Sequence, residues 1–320
     1  LKPFSFLILS LLLHFAGYYA LVKRIEPFQY FYYVTSWWSY IVLLDATLAL
    51  KKRHFSMLNK HIVPLIIISC GFWCFFELIN VRLQNWYYIN LPVNTMQRYG
   101  GYFLAYGTVV PAICLTEALV HIFIGEINVK PFRVGQYPFY SIPLGIAVML
   151  LTLVFPRYLF ACTWIFAVLI IDAVNYTLGY RSFMADLENG LAGHFVGAIA
   201  AGLICGILWE MWNYRSISKW MYSVPFFEKG KIFEMPLPGY LGFLAFGLET
   251  IAFYNLLDGL RRNRRHAYAS VIIASILISS LTFPLIDRFT VGGNSAVISC
   301  QLTAISKQKA ILSIHHKFLL

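Results

Sequence analysis

The chain is poor in charge. Of its 320 residues only 12% are Asp, Glu, Lys or Arg, and 14 are acidic. An ordinary soluble domain carries about twice that charged share, so a water-soluble globular enzyme is excluded. The six cysteines, at positions 70, 74, 114, 162, 205 and 300, form no Cys-x-x-Cys pair and mostly fall inside apolar runs. There a thiol behaves as a small hydrophobe, which excludes a disulfide framework and a cysteine-based zinc site. No small-residue cleavage site follows the first apolar run, which is therefore expected as a retained helix and not a signal peptide. The formal charge of +11 does not mark a nucleic-acid partner. The basic residues sit in short loops such as Lys51-Lys52-Arg53 and 261–265, as in a membrane protein that fixes its orientation.

What fills the chain is apolar and aromatic: 59% hydrophobic, 18% aromatic, with a mean hydropathy of +0.68. A bilayer core needs about 20 apolar residues of helix. Runs of that order occupy 4–22, 30–50, 62–83, 102–125, 139–155, 158–176, 191–212, 237–257 and 268–286. The expected fold is an all-α polytopic membrane protein of eight or nine transmembrane helices. Nine passes put the basic loops 51–60 and 261–265 on the face of the N-terminus, which the positive-inside rule makes cytoplasmic, here of a bacterial inner membrane. Lys23, Arg24, Lys219, Lys229 and Lys231 on the other face weaken that bias. Residues 288–320 contain no further run, and Gly-Gly-Asn-Ser at 292–295 reads as a break before a tail of undefined structure.

Two stretches repeat the same markers in the same order. Glu77 and Asn80 precede Trp86, Tyr88 and Pro92; Glu210 and Asn213 precede Trp220, Tyr222 and Pro225. Upstream, Trp38, Asp45 and Arg53 correspond to Trp164, Asp172 and Arg181. Downstream, Gly101-Tyr102 and Tyr106-Gly107 correspond to Gly239-Tyr240 and Phe246-Gly247. Four helices per unit make this a parallel repeat, with both halves facing the same way. The expected organisation is a first four-helix unit at 1–130, a second at 131–260, an additional helix at 261–287 and the tail.

Acids inside a bilayer cost about 2.5–3.5 kcal/mol each on insertion scales and so mark partners or function. Asp45 and Asp172 fall near the cytoplasmic ends of their helices and read as loop anchors or as ion-pair partners of Arg53 and Arg181. Glu77 and Glu210 fall near the outer ends, too far from the aspartates to form one carboxylate pair. Asn80 and Asn213 share a helix face with those glutamates, while Trp86, Tyr88, Trp220 and Tyr222 supply donors on an apolar wall. The same groups also suit a helix-end lock with an interfacial aromatic belt. Glu249 lies near mid-membrane, and its counterpart in the first half is Val109. Glu117 and His121 share a face, but a pair without a third ligand makes no metal site; no metal and no cofactor is expected.

The repeat unit resembles the lycopene cyclase domain of the integral-membrane, heterodimeric or fused type. The likeness runs over Glu77 to Tyr102 and over Glu210 to Glu249: an acid on one helix, a Trp-x-Tyr loop, then a proline entering the next helix. Where that family places an acidic pair after the proline, this chain has Pro236-Leu237-Pro238-Gly239-Tyr240. The resemblance therefore implies architecture and a long apolar isoprenoid or carotenoid-like ligand, without carrying over the family's acids. Glu210, Glu249 and Glu77, in that order, are the candidate proton donors. Asn80, Trp86, Tyr88, Asn213, Trp220, Tyr222 and Tyr240 are the candidate ligand-binding residues, with the pocket expected in the second half. A non-catalytic transmembrane subunit of a larger membrane complex, packing other subunits, pigments or lipids on its aromatic faces, is the competing reading. A transporter is the third, disfavoured because no interrupted helix is evident in the sequence.

Overall fold

In a medium without water every backbone donor and acceptor must be satisfied within the chain, so long apolar runs become helices. The computed structural model describes residues 2–226 and 230–292, so Lys229, Cys300 and the expected tail beyond 292 lie outside the described residues. Eight helices or broken helical passes are long and apolar enough to cross a membrane. The uninterrupted ones are α1 (Lys2–Val22), α3 (Ile62–Leu83), α6 (Tyr137–Val154), α10 (Gly193–Arg215) and α12 (Arg265–Phe289). The last but one in chain order, α11 (Tyr240–Asn263), is preceded by a 3-10 turn at Leu237–Gly239. A further 21-residue helix, α2 (Tyr32–Lys52), is diluted by Tyr, Trp and Ser. It runs antiparallel along α1, with Thr35 against Gly17 and Ser39 against His14, and so covers the same depth.

Two passes are interrupted, contrary to the expectation from sequence. The fourth consists of α4 (Thr95–Tyr106) and α5 (Val109–Ile124), separated at Gly107–Thr108. The Ser69 hydroxyl bridges that break, donating to the Tyr106 carbonyl at 2.7 Å and accepting the Val110 N–H at 3.0 Å. The sixth consists of a short turn of helix, α7 (Pro156–Leu159), a 3-10 segment at Phe160–Trp164, and α8 (Phe166–Thr177). The buried Glu249 carboxylate accepts the Ala167 N–H at 3.0 Å, capping the start of α8 from the middle of α11. Hydropathy cannot reveal such breaks, because the residues around them are as apolar as a continuous helix.

Helices α1, α6 and α12 expose large apolar side chains, among them Phe15, Leu144, Leu151, Leu277 and Leu281, and form the periphery. Helices α10 and α11 cross closely in the interior. A Cβ on Gly202 would lie 2.1 Å from the Phe243 carbonyl oxygen and 2.8 Å from the Gly247 Cα. Only glycine permits that approach of two backbones.

The loops add short strands to an otherwise helical fold. Strand β1 (Trp86–Ile89) follows α3, and β2 (Lys219–Tyr222) follows α10. They pair antiparallel, with Trp86 opposite Tyr222 and Tyr88 opposite Trp220. A second small hairpin, β3 (Lys231–Ile232) with β4 (Met235–Pro236), leads into α11. The strands share one end of the bundle with the α12 terminus, since Tyr88 accepts the Gly292 N–H and donates to the Thr290 carbonyl. The loops at 53–61, 125–136 and 178–192, the last holding the short helix α9 (Phe183–Glu188), occupy the opposite end.

Candidate functional site

Glu77 sits one and a half turns from the end of α3 and is fully buried. Three side chains donate to its carboxylate: the Trp73 indole at 2.8 Å, the Trp86 indole at 3.1 Å, and the Tyr88 hydroxyl at 2.5 Å. Tyr106 in turn donates to the Tyr88 oxygen at 3.0 Å. No cation pairs with Glu77 among the described residues. Glu210, also fully buried, has one donor in hydrogen-bond geometry, the Tyr222 hydroxyl at 2.7 Å. The Trp220 indole and the Glu234 N–H approach the same carboxyl, but Glu210 Oε2 has no partner within hydrogen-bond geometry. Both tyrosines lie in the strands, outside the spans. Burial pushes their hydroxyls well above the usual phenol range, and the adjoining glutamates add to the effect.

The asparagines hold the strands. Asn80 donates to the Trp86 carbonyl at 2.8 Å and accepts the N–H groups of Asn85 and Trp86. Asn213 makes the matching pair with Trp220, donating to its carbonyl and accepting its N–H, both at 3.0 Å. These amides position the strands that carry the indoles and are not part of the adjoining cavity wall.

Trp86, Tyr88, Trp220 and Tyr222 line a cavity of about 110 Å³ at the strand end. They form its wall together with residues that the sequence reading did not single out as ligand contacts: Trp73, Trp164, Trp209, Tyr106, Phe243 and Phe246. Five of the eight tryptophans thus face one space, so the aromatic richness is not mainly an interfacial belt. The rings contact one another directly. Trp73 and Trp209 centroids are 4.8 Å apart, and Trp164 stacks on Phe76 at 5.6 Å. Gly239 and Gly242 line the same space, and a Cβ on Gly242 would meet Trp164 at 3.0 Å. The mouth carries Arg98 and Lys219. Arg98 is held by Asp287, with Nη2 at 2.5 Å, and Lys219 by Glu234 at 2.6 Å.

Several expectations change. The cavity lies between the first and second halves of the chain, not within the second, because β1 and α4 wall one side and β2 and α11 the other. Tyr240 is not part of the wall; its hydroxyl donates to the Ile232 carbonyl and braces the β3–β4 hairpin. Glu249 acts as a helix cap remote from the strands, with Oε2 unpartnered. Asp45 and Asp172 form no ion pair with Arg53 or Arg181. Asp45 accepts the N–H groups of Ser56, Met57 and Leu58, and Asp172 those of Phe183 and Met184, so both anchor loops through backbone donors. Arg181 turns to Asp186 instead, at 3.7 Å. The fold also brings His194 to Glu117 and His121, so the pair read from the sequence gains a third potential donor. A 73-residue separation from His121 hid that third donor in the sequence.

The chain matches no protein-family model, no curated protein and no solved structure.

Proposed function

We propose that this membrane protein binds the end group of a long isoprenoid or carotenoid-like lipid in the aromatic cavity and protonates it through Tyr222 and Glu210. The observation that carries the reading is a wall of indoles and phenols hydrogen-bonded from behind to two buried carboxyls. Electron-rich rings stabilise positive charge that develops on a protonated alkene, and an apolar site favours the neutral carboxylic acid that such a step consumes. A space of about 110 Å³ suits an end group, with the remaining chain running out between helices. In the reaction the protonated Glu210 donates to the Tyr222 oxygen, reversing the direction of their 2.7 Å bond, as the Tyr222 hydroxyl gives its proton to the alkene. The resulting cation then loses a proton, which restores the Glu210 acid. Glu210 is assigned the transferable proton because a single donor engages it and its Oε2 is unpartnered, whereas three donors already occupy the Glu77 carboxylate.

The duplication of a four-helix unit over 1–130 and 131–260, with 261–287 added, belongs to the same proposal. It is supported by the matched bonds of Asn80 and Asn213, of Glu77 and Glu210 to tyrosines, and of Asp45 and Asp172 to residues 11 and 12 positions downstream. The β1–β2 register also maps onto itself when each Trp-x-Tyr is exchanged for the other, as a two-fold axis requires. The lycopene cyclase likeness, a bacterial inner-membrane location and a cytoplasmic N-terminus are proposed with it.

One observation favours the non-catalytic subunit: Glu77 is so fully engaged that it serves as an anchor, and Glu210 could be its weaker copy. The interrupted fourth and sixth passes favour a transporter, in which broken helices expose backbone groups to a substrate, although here Ser69 and Glu249 already engage those groups. Mass spectrometry of lipids extracted from the purified protein separates these readings. The proposal expects a stoichiometric isoprenoid, lost on Gly242→Val, which fills the cavity. Recovery of bulk phospholipid alone from both proteins would overturn it.

A further inference from the structure

At the end of the bundle opposite the strands, three donors converge from two helices. Glu117 and His121 lie one turn apart on α5, and His194 is the second residue of α10. The Glu117 carboxylate is buried, and His194 Nδ1 lies 2.7 Å from its Oε1. The two imidazoles stack with centroids 4.1 Å apart and planes 23° from parallel. One donor atom from each residue lies within 4.8 Å of the others.

A Glu–His hydrogen bond between α5 and α10 accounts for only part of this. It leaves His121 Nδ1 buried with no partner, and face-to-face imidazoles repel once both are protonated. Gly197 faces the carboxylate, where a Cβ would lie 3.3 Å from Oε1, so the fold keeps that side open. Glu126, in the adjoining loop, accepts the Gly193 N–H at 2.8 Å and adds negative charge beside both histidines; its carboxyl is held below the usual range first by that bond. Glu117 and His194 also line a cavity of about 180 Å³ that reaches Cys114, Arg181 and Asp186.

We propose that Glu117, His121 and His194 bind a divalent transition-metal ion. Two imidazoles and one carboxylate are the donor set of open zinc sites and of two-histidine, one-carboxylate iron sites. With metal–ligand distances of about 2.0–2.2 Å, neighbouring donors stand roughly 3–3.5 Å apart. That spacing lies between the 2.7 Å contact and the 4.8 Å limit found here, so side-chain rotation completes the set. Three protein ligands leave a coordination position free, directed at the adjoining cavity.

The test is a Co²⁺ titration of the full chain in lipid nanodiscs after chelator treatment, read by visible absorption and metal content. Wild type should bind one equivalent with the d–d bands of a low-coordinate site, and Zn²⁺ should displace it. His121→Ala should lose those bands. Glu117→Gln, which keeps a hydrogen bond to His194 and so protects the fold, should weaken binding by at least about tenfold. Histidines elsewhere are shared by all three proteins and cancel in the comparison. Equal Co²⁺ spectra and affinities in wild type and both variants, or no low-coordinate bands in wild type, would overturn the assignment and leave a simple interhelix hydrogen bond.

Discussion

Replacing each outer glutamate by alanine should destabilise the protein unequally. Glu77→Ala strands three buried donors, on Trp73, Trp86 and Tyr88. An unsatisfied buried donor costs about 1–3 kcal/mol, so three stranded donors cost about 3–9 kcal/mol, less by one share for each that finds a new partner. Glu210→Ala strands one full donor, on Tyr222, and should cost ~1–3 kcal/mol. The expected gap is therefore about 2 kcal/mol or more, despite the like positions of the two residues in the sequence. Glu77→Gln should recover most of the loss, because one amide oxygen can still accept at the Oε1 position. Only the Trp86 indole, 3.3 Å from Oε2, then faces a competing donor. The assay is reversible unfolding in mixed micelles with increasing SDS, followed by tryptophan fluorescence, at matched lipid content. Equal destabilisation by the two alanine variants, or a larger effect at Glu210, would refute the assignment of anchor to Glu77 and acid to Glu210.

Other consequences follow from the same geometry. Gly202→Ala should cost about 1–3 kcal/mol in the same assay, because the new Cβ meets backbone on α11 and the helices must move apart. Gly100→Ala, where nothing lies within 4 Å, should be neutral or stabilise α4 by up to ~1 kcal/mol. Asp45→Ala should free the loop at 53–61 and speed tryptic cleavage there severalfold. Arg53→Ala should leave the anchoring unchanged, since Asp45 holds backbone N–H groups and not that guanidinium.

Much of the architecture was legible because apolar length and the Glu–Asn–Trp-x-Tyr spacing are local properties. The run at 62–83 coincides with α3, and the end-of-helix placement of Glu77 and Glu210 follows from counting turns. The strands escaped notice because Trp86-Tyr87-Tyr88-Ile89 is too short to show alternation, and its partner lies more than 130 residues away. The cavity wall was only half legible. Trp86 and Trp220 stood out through their matched Trp-x-Tyr spacing, whereas Trp73 and Trp209 look like ordinary apolar residues until helices α3 and α10 face each other. His194 opens α10 as a lone histidine, and only the α5–α10 contact gives it two partners. The helix breaks depend on Ser69 and Glu249 reaching across from neighbouring helices, which no single-chain pattern records.

The most direct test of proton transfer is deuterium incorporation. The purified protein in nanodiscs is incubated in D₂O with lycopene as an acyclic polyene probe, and the lipid is analysed by mass spectrometry. Donation from Glu210 through Tyr222 predicts a product carrying one solvent deuterium per protonation. With Glu210→Gln the rate should fall by about 10²–10⁴-fold while the lipid is still bound. Lipid that binds without gaining deuterium, or label gained equally by wild type and Glu210→Gln, would contradict it.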